Sequence, residues 1–452
     1  MKFRAAVKDF TEGLNSAISV ATKGVVKEHP LAFLVTLAAE DDEIIALSHG
    51  GRMSIRSYIS DRHGCDDLRY DCEDKGHCTV RASDLKATLS SFDESDEIWV
   101  ELRTYDEPQD GDDGDDGDTD APNAEKDSGR ELVLTLVNDP EQFQTMPTYR
   151  ETIEIPQYVN DIMETKSDDD ALQVRRDIFI SGANRVFFAR GFEDEREAYK
   201  YWKIDAQPGE VRFAAGSGPR FAILDLSGHD LTKGKDKFGL LMPNDQTPAI
   251  LDILNQAIDE YINFYPEDKY LIIKSNSFLA YIAQYDADVT WPDVNMFLDR
   301  KSPIKLTTQI KNWANVVRGI SATYNDEMKK AHDIHFATLS IDFENSDFIE
   351  TKTEGVMRAR RKVGVDDIEI NDSAKSDGAL SISCVSFYLA EAVKRAADDD
   401  HVQVEFESSK APILFRYHAG SKVDERDFWS EPDQSGIKER YSIFFAPKKS
   451  RR

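Results

Sequence analysis

Apolar positions along the chain fall into two rhythms. The first has helical spacing. Val7, Phe10, Leu14, Ala17 or Ile18, and Ala21 recur at intervals of three and four, which puts them on one face of a 3.6-residue helix running to about Thr22. The same spacing predicts a helix from Ala82 to about Phe92, with Leu85, Leu89 and Phe92 inward and Ser83 as N-cap. It predicts others over Ile155–Glu164, with Pro156 in the first turn, and from Thr247 to about Tyr261, on Ile250, Leu251, Leu254, Ala257 and Ile258. Two more carry Leu306, Ile310, Trp313, Val316, Val317 and Ile320, and Val385, Tyr388, Leu389, Ala392, Val393 and Ala396. The second rhythm alternates with period two and predicts strands. In the first third these are Ala32–Ala38, Ile44–Ser48, Met53–Ile59, Ile98–Arg103 and Glu131–Val137. In the middle they are Asp177–Ile180, Val186–Arg190, Tyr199–Ile204, Val211–Ala214, Arg220–Leu226, Tyr270–Lys274 and Phe278–Gln284. Towards the end they are His335–Ile341, Phe348–Glu354, Val356–Val363, a pair around the turn after Phe406, and Glu439–Pro447.

Helices thus recur near residues 7, 82, 156, 247, 306 and 384, each followed by mostly antiparallel strands. The spacing is roughly 60 to 90 residues, the signature of a structural repeat. One helix on one small sheet cannot bury its apolar face alone, so the copies must pack on each other. The expected class is α+β. At roughly 150 residues per domain, the 452-residue chain divides into three, 1–150, 151–300 and 301–452. Within the first, Asp106–Asp127 holds eleven acids against one Lys. Such a run has too little apolar surface to offset its ordering entropy and reads as a disordered insert at a hairpin tip. As a calcium loop it offers Asp116, Asp118 and Asp120, but Ala121 stands where the turn glycine is needed.

The formal charge of −29 and pI of about 4.7 count against a protein that holds nucleic acid by a basic surface. They do not count against one that encloses DNA, because then the placement of the cations matters more than their sum. No apolar run approaches the roughly 18–20 residues that span a membrane. The start, MKFRAAVKDFTEGL, is amphipathic with acids and does not read as a signal peptide. Four cysteines in a chain of this length do not make a disulfide framework, so a reducing, cytoplasmic setting is expected.

Candidate chemistry is sparse. His63, Cys65, Cys72, His77 and Cys78 could supply a tetrahedral zinc site, although their spacings form no paired CxxC; free thiols in a loop are the alternative. A metal-dependent nucleic-acid enzyme built on these and the acidic run is the weakest functional reading. No phosphate loop, GxSxG or HExxH occurs, so no catalytic residue, no cofactor and no enzyme activity are expected.

Several runs, in order, resemble the bacterial DNA polymerase III β sliding clamp family. MKFRAAVKDFTEGLNSAI resembles its opening strand and first helix; Phe213–Ser227, FAAGSGPRFAILDLS, resembles its middle-domain Gly-His-Arg-Leu-Ala run, with Pro219 for His and Phe221 for Leu. Leu241-Met242-Pro243 is similar to its Val-Pro step, Ser383–Arg395 to its last helix, and Phe444-Phe445-Ala446-Pro447 to its terminal strand. The acidic insert and the basic tail Lys448–Arg452 depart from it. The resemblance implies three repeated DNA-clamp domains, each with two helices on antiparallel sheets. Two chains would join head to tail in a homodimeric ring that threads double-stranded DNA and tethers a DNA polymerase. It also implies a pocket for short apolar peptides of polymerase and clamp loader, here at Ile180, Gly216, Gly218, Arg220, Phe221, Pro243, Ile250, Phe444 and Ala446. Cations off the apolar helix stripes, Lys8, Lys23, Lys86, Lys311, Arg318 and Lys394, would face DNA. The acids Asp161, Glu164, Asp252 and Asp259 leave that lining patchy and favour a second reading, a clamp-like scaffold that recruits partners without encircling DNA.

Overall fold

The computed structural model describes residues 1–23, 29, 31–41, 43–60, 70–105, 125–191, 196–218, 220–234, 237–267, 269–283, 289–299, 302–323, 336–344, 347–354, 359–375, 378–394, 401–418 and 437–446. Most of the acidic insert, the basic tail and the segment after Lys394 lie outside these residues. The chain forms two compact units. The first is Met1–Ile180 with Lys233–Lys235 and Asp245–Asp288; the second is Ser181–Thr232, Asp236–Asn244 and Val289–Arg452.

In the first unit one antiparallel sheet runs through Leu172–Arg175, Tyr261–Pro266, Tyr270–Lys274, Phe278–Ala283, Met53–Ser60, Glu43–His49, Leu34–Ala39 and Gly76–Arg81. It continues through Phe143–Tyr149, Lys126–Leu136, Glu97–Thr104, Lys2–Ala6 and Asp71–Asp74. The helix Val7–Thr22 buries Val7, Phe10, Leu14, Ala17, Ile18 and Ala21, the stripe its spacing predicts. It packs on the strands Glu43–His49 and Met53–Ser60 and beside the helices Ala82–Leu89 and Thr247–Gln256. A Cβ at Gly13 would lie 2.5 Å from Ile59, so the helix meets the sheet too closely for any side chain there. Ser16 Oγ donates to Gln256 Oε1 at 2.7 Å and ties two of these helices together.

The second unit has a nine-stranded sheet in the order Phe238–Pro243, Tyr201–Gln207, Glu210–Ser217, Arg220–Ser227, Lys438–Phe445, Ile413–His418, His401–Phe406, Ile304–Gln309 and Asp367–Ile370. A four-stranded sheet runs Ala359–Gly364, Phe348–Glu354, Phe336–Asp342, Ala379–Val385. The helices Ile310–Thr323 and Ser386–Lys394 pack against each other. Trp313 is fully buried with its ring edge-on to Phe415 at 5.6 Å, and Trp202 stacks on Phe213 at 6.3 Å.

The repeat is real, but its phase differs from the sequence reading in one place. The predicted strands Asp177–Ile180 and Val186–Arg190 are instead a helix, Arg176–Val186, and a 3-10 turn, Phe187–Ala189. Ile178, Phe179, Ala183 and Val186 are its buried stripe. Asp177 accepts the Ile178 N–H at 2.8 Å, an acid where the positive helix end favours one. Gly182, which breaks the sequence pattern, is there because a Cβ would sit 2.5 Å from the Phe213 ring. The predicted helix at Pro156 exists as Gln157–Thr165, but Val159 is its one buried residue and it does not follow a strand. The repeating helices therefore start at Val7, Ala82, Arg176, Thr247, Ile310 and Ser386.

Other boundaries shift for one reason. The strand Ile304–Gln309 runs straight into its helix, as Ala379–Val385 does, so Leu306, buried, and Val385, half-buried, are strand residues rather than the first residues of the helix. The helix predicted to reach Tyr261 ends at Gln256, and Ile258 is 61 % exposed.

Candidate partner-binding site and helix faces

Antiparallel register places four residues side by side across the nine-stranded sheet: Gly216 opposite Phe221, Phe221 opposite Phe444, Phe444 opposite Leu414. Registered residues share a face, and alternate residues take the other. Ala222, Leu224 and Leu226 therefore face away from this row. A Cβ on Gly216 would lie 2.1 Å from the Phe221 ring, so the ring lies flat over the glycine. Tyr199 and Trp291 stand edge-on to Phe221 at 5.8 and 6.1 Å. The Trp291 indole N–H donates to Tyr201 O at 3.1 Å, and Tyr201 pairs with Pro243. Gly216, Phe221, Pro243 and Phe444 thus gather in one aromatic neighbourhood. Ala446 lies half-buried just past the strand end, and Gly218 is exposed at the turn before Arg220.

Arg220 points off the other side of its strand. Its guanidinium lies 4.4 Å over the Tyr388 ring and 6.0 Å from Phe188, and Nη2 donates to Arg190 O at 3.3 Å. It is 3 % exposed, a cation held by aromatic faces. Ile180 and Ile250 belong to the first unit; Ile180 is half-buried in the helix Arg176–Val186, and Ile250 is fully buried in Thr247–Gln256. The sequence reading missed Tyr199, Trp291 and Tyr388. The Trp-Pro pair at 291–292, inside an acidic stretch, was the available signal.

Along the same sheet face, four residues or about 13 Å from Phe221, runs a row of alternating charge. Asp205 is opposite Arg212, Arg212 opposite Asp225, Asp225 opposite Arg440. Arg212 Nε donates to Asp225 Oδ1 at 2.5 Å, and Arg440 Nε donates to Oδ2 at 2.8 Å. Burial alone would lower the Arg212 pKa, but Asp225 raises it above its ordinary value. A cleft of about 460 Å³ opens over this row, flanked by Lys203 and Lys237. The row and the nearby Arg416 together hold a neighbouring segment. Arg212 Nη1 donates to Asn295 Oδ1, and Arg416, in a buried pair with Glu405 at 2.6 Å, donates through Nη2 to Leu298 O, both at 2.7 Å. Trp291 is on that segment, so charges set the position of an aromatic wall.

The helix cations divide into two groups. Lys8, Lys86 and Lys311 are exposed and have no ion pair among the described residues. Lys23 pairs with Asp252, Lys394 lies 3.5 Å from Glu391, and Arg318 donates to Asn315 Oδ1 at 2.6 Å. The acids have local work. Besides Lys23, Asp252 accepts from Ser19 at 3.5 Å; Asp259 accepts from Ser275 Oγ at 2.7 Å and Asn276 Nδ2 at 2.6 Å; Asp161 accepts from Gln157 at 3.0 Å.

The zinc candidates do not assemble among the described residues. Cys78 and His77 are neighbours on the strand Gly76–Arg81, so their side chains leave opposite faces. Cys78 is buried, and burial pushes its thiol up to about 12, away from the thiolate a metal needs. Cys72 sits half-buried on Asp71–Asp74; His63 and Cys65 lie outside the described residues.

A strand that leads into a helix and then into antiparallel strands, repeated along one chain, defines a DNA-clamp fold. The chain has the fold of the bacterial DNA polymerase III β sliding clamps. It is similar over its whole length to the DNA polymerase sliding clamp of Bacillus subtilis, with TM-score 0.69, 14 % identity and 100 % of both chains covered. A ligand-bound Pseudomonas aeruginosa sliding clamp gives TM-score 0.70 at 13 % identity, over 99 % of this chain and 100 % of that one. The DNA polymerase III β subunit of Thermotoga maritima gives 0.68 at 11 %, with the same coverage. A DnaN sliding clamp from Pseudomonas aeruginosa bound to griselimycin gives 0.67 at 14 %, covering 99 % of each chain. No protein-family model and no curated protein sequence matches the chain.

Proposed function

We propose that this protein is a DNA sliding clamp, a non-enzymatic, cytoplasmic processivity factor. Two chains would encircle duplex DNA and tether a polymerase. The observation that carries this reading is the full-length likeness, in which this chain and the clamps cover each other end to end at TM-scores near 0.7. Three clamp domains, 1–150, 151–300 and 301–452, follow from the same reading.

Sheet edges support the homodimer. Inside the chain, the strand Met53–Ser60 pairs with Phe278–Ala283, and Arg220–Ser227 pairs with Lys438–Phe445. In each case the last strand of one half-domain joins the last strand of another. The third set has no such partner among the described residues. Ala359–Gly364 ends the four-stranded sheet, and Phe143–Tyr149 meets the strand beyond it only at Thr79–Tyr149. Open edges invite pairing. Joining Ala359–Gly364 of one copy to Phe143–Tyr149 of another, twice, closes two chains head to tail.

The exposed Lys8, Lys86 and Lys311 would make loose phosphate contacts, with topology rather than affinity holding the DNA. The Phe221 neighbourhood would take an apolar peptide of polymerase and clamp loader, since aromatic walls are what such motifs dock on. A non-encircling scaffold loses part of its support, because Asp252 and Asp259 are engaged locally.

The test is retention after loading on a nicked circle and on the same DNA linearised. The clamp reading expects the protein to stay on the circle and run off the linear form. Equal loss from both would sink encirclement. A solution mass of a monomer at working concentration would sink the dimer.

A further inference from the structure

The first unit carries a pocket that the clamp reading does not use. It opens between the helix Gln157–Thr165 and the sheet, with a volume of about 410 Å³. Its floor is a cross-strand row: Lys274 opposite Leu279, Leu279 opposite Arg56. The two cations therefore share one face, two strands or about 10 Å apart, with an apolar side chain between them. Tyr58 and Met163 add apolar wall. Beyond it the same helix sets Tyr158, 41 % exposed, among Tyr270 and Tyr281.

The charges here are under-used. Arg56 forms no ion pair with a described residue; its Nε is buried without an acceptor, and Nη1 reaches only Asn160 Oδ1 at 3.4 Å. Lys274 has Asp168 at 3.4 Å, both partly exposed. Glu164 lines the pocket and pairs with neither cation. A guanidinium with free donors in a half-dry site favours a carboxylate over water. The rim decides between ligands. Glu164 lines the opening and Asp168 stands beside Lys274, so two carboxylates border the cations. A nucleic acid brings a run of phosphates and would be repelled by that rim. A single carboxylate beside an apolar side chain meets Arg56 and Lys274 across Leu279 and leaves the rim to solvent. Tyr, Arg and Met are also the residues that concentrate in protein-docking sites.

We propose that this pocket is a second docking site, for a peptide segment of a protein partner that carries one carboxylate next to an apolar residue. The site lies wholly within the first unit and does not depend on the chain encircling DNA.

The test titrates full-length protein with acetyl-aspartyl-leucyl-phenylalaninamide and its asparaginyl counterpart, by calorimetry at low salt. The aspartyl peptide should bind at least fivefold more tightly. Arg56→Gln should weaken it about tenfold, Lys274→Gln a few-fold, and Glu164→Gln should strengthen it by removing the opposing charge. The titration is repeated in Phe221→Ala, which removes the aromatic row from the readout, and the aspartyl preference and its loss in Arg56→Gln should persist there. Thermal melts of each variant confirm that it folds. Equal binding of the two peptides, no effect of Arg56→Gln, or no binding at millimolar peptide overturns the proposal. So does inorganic phosphate displacing the peptide at equal concentration, which would mark a simple anion site.

Discussion

Two rows cross the same face of the second unit's sheet, and they use their side chains in opposite ways. The row of Asp205, Arg212, Asp225 and Arg440 satisfies its own charges and then holds the segment that brings Trp291. The row of Gly216, Phe221 and Phe444 has no polar work to do and packs its rings, buried, against Tyr199 and Trp291. The difference teaches that abundant charge near a candidate site need not be its chemistry. Here the charges are scaffolding, and the uncharged row beside them is the one proposed for recognition.

The sharpest way to break the scaffolding is at its most buried point. Glu405 and Arg416 have side chains 2 % and 5 % exposed, and Arg416 also holds the Leu298 carbonyl. Glu405→Ala leaves a buried guanidinium without its carboxylate, a change that costs about 3–5 kcal/mol. Urea unfolding reads it, and Trp291 fluorescence should shift as its segment loosens. A loss under about 1 kcal/mol, the scale of an exposed pair, would mean that the pair is not structural.

The aromatic row is broken by adding one methyl group. At Gly216 a Cβ would land well inside van der Waals range of the Phe221 ring, 2.1 Å from its nearest atom. Gly216→Ala should cost about 1–3 kcal/mol by overpacking and turn the ring out of place. Peptide binding to this row should fall more than tenfold, while Glu405→Ala should affect it less than it affects stability. If Gly216→Ala binds the peptide normally, the Phe221 row is core and not a site.

The first unit holds the converse arrangement, polar groups kept neutral by burial. His49 shares hydrogen bonds with Ser54 Oγ at 2.7 Å and with His29 Nε2 at 3.2 Å, and burial with the nearby His29 lowers its pKa to about 4. Unfolded, it titrates near 6.5. Between these values the unfolded chain binds the proton that the folded chain refuses, so stability rises with pH through that window and falls as pH drops from 6.5 to 4. The full shift corresponds to about 3 kcal/mol at 1.36 per unit; partial exposure reduces this to the order of 1–2 kcal/mol. His49→Asn should flatten the slope of melting temperature against pH in this range. An unchanged slope would assign it to other groups.

How much of this was legible in the sequence depends on the kind of residue. Buried stripes at helical spacing, such as Val7 to Ala21, were readable because one face does one job. The helix Arg176–Val186 was hidden by Gly182, whose reason is Phe213, about thirty residues on and on another strand. Gly216, Phe221, Pro243 and Phe444 came through the family resemblance, and the register brings them together. Trp291 and Tyr199 did not come through. Their role exists only once Arg212, Asn295 and Arg416 have drawn a segment across the sheet, and no local pattern encodes that. The lysines were readable as exposed, but Lys23 could not be known to meet Asp252, more than two hundred residues away.

That last distinction gives the smallest effect and the finest test. Lys8, Lys86 and Lys311 are exposed without an ion pair among the described residues, whereas Lys23 is already neutralised by Asp252. If the free three face DNA, replacing them with Gln should lower the salt dependence of binding to short linear duplex by about 1 for each phosphate no longer neutralised. Lys23→Gln should change it far less, because its charge is spent inside the protein. Retention on a nicked circle should hardly move in either variant, since a closed ring leaves a circle by opening and not by releasing phosphates. The two measurements pull apart what a net charge of −29 conflates. An unchanged salt slope in the triple variant would remove these lysines from the DNA path. A large loss of retention on circles would show that direct binding, and not enclosure, holds the DNA.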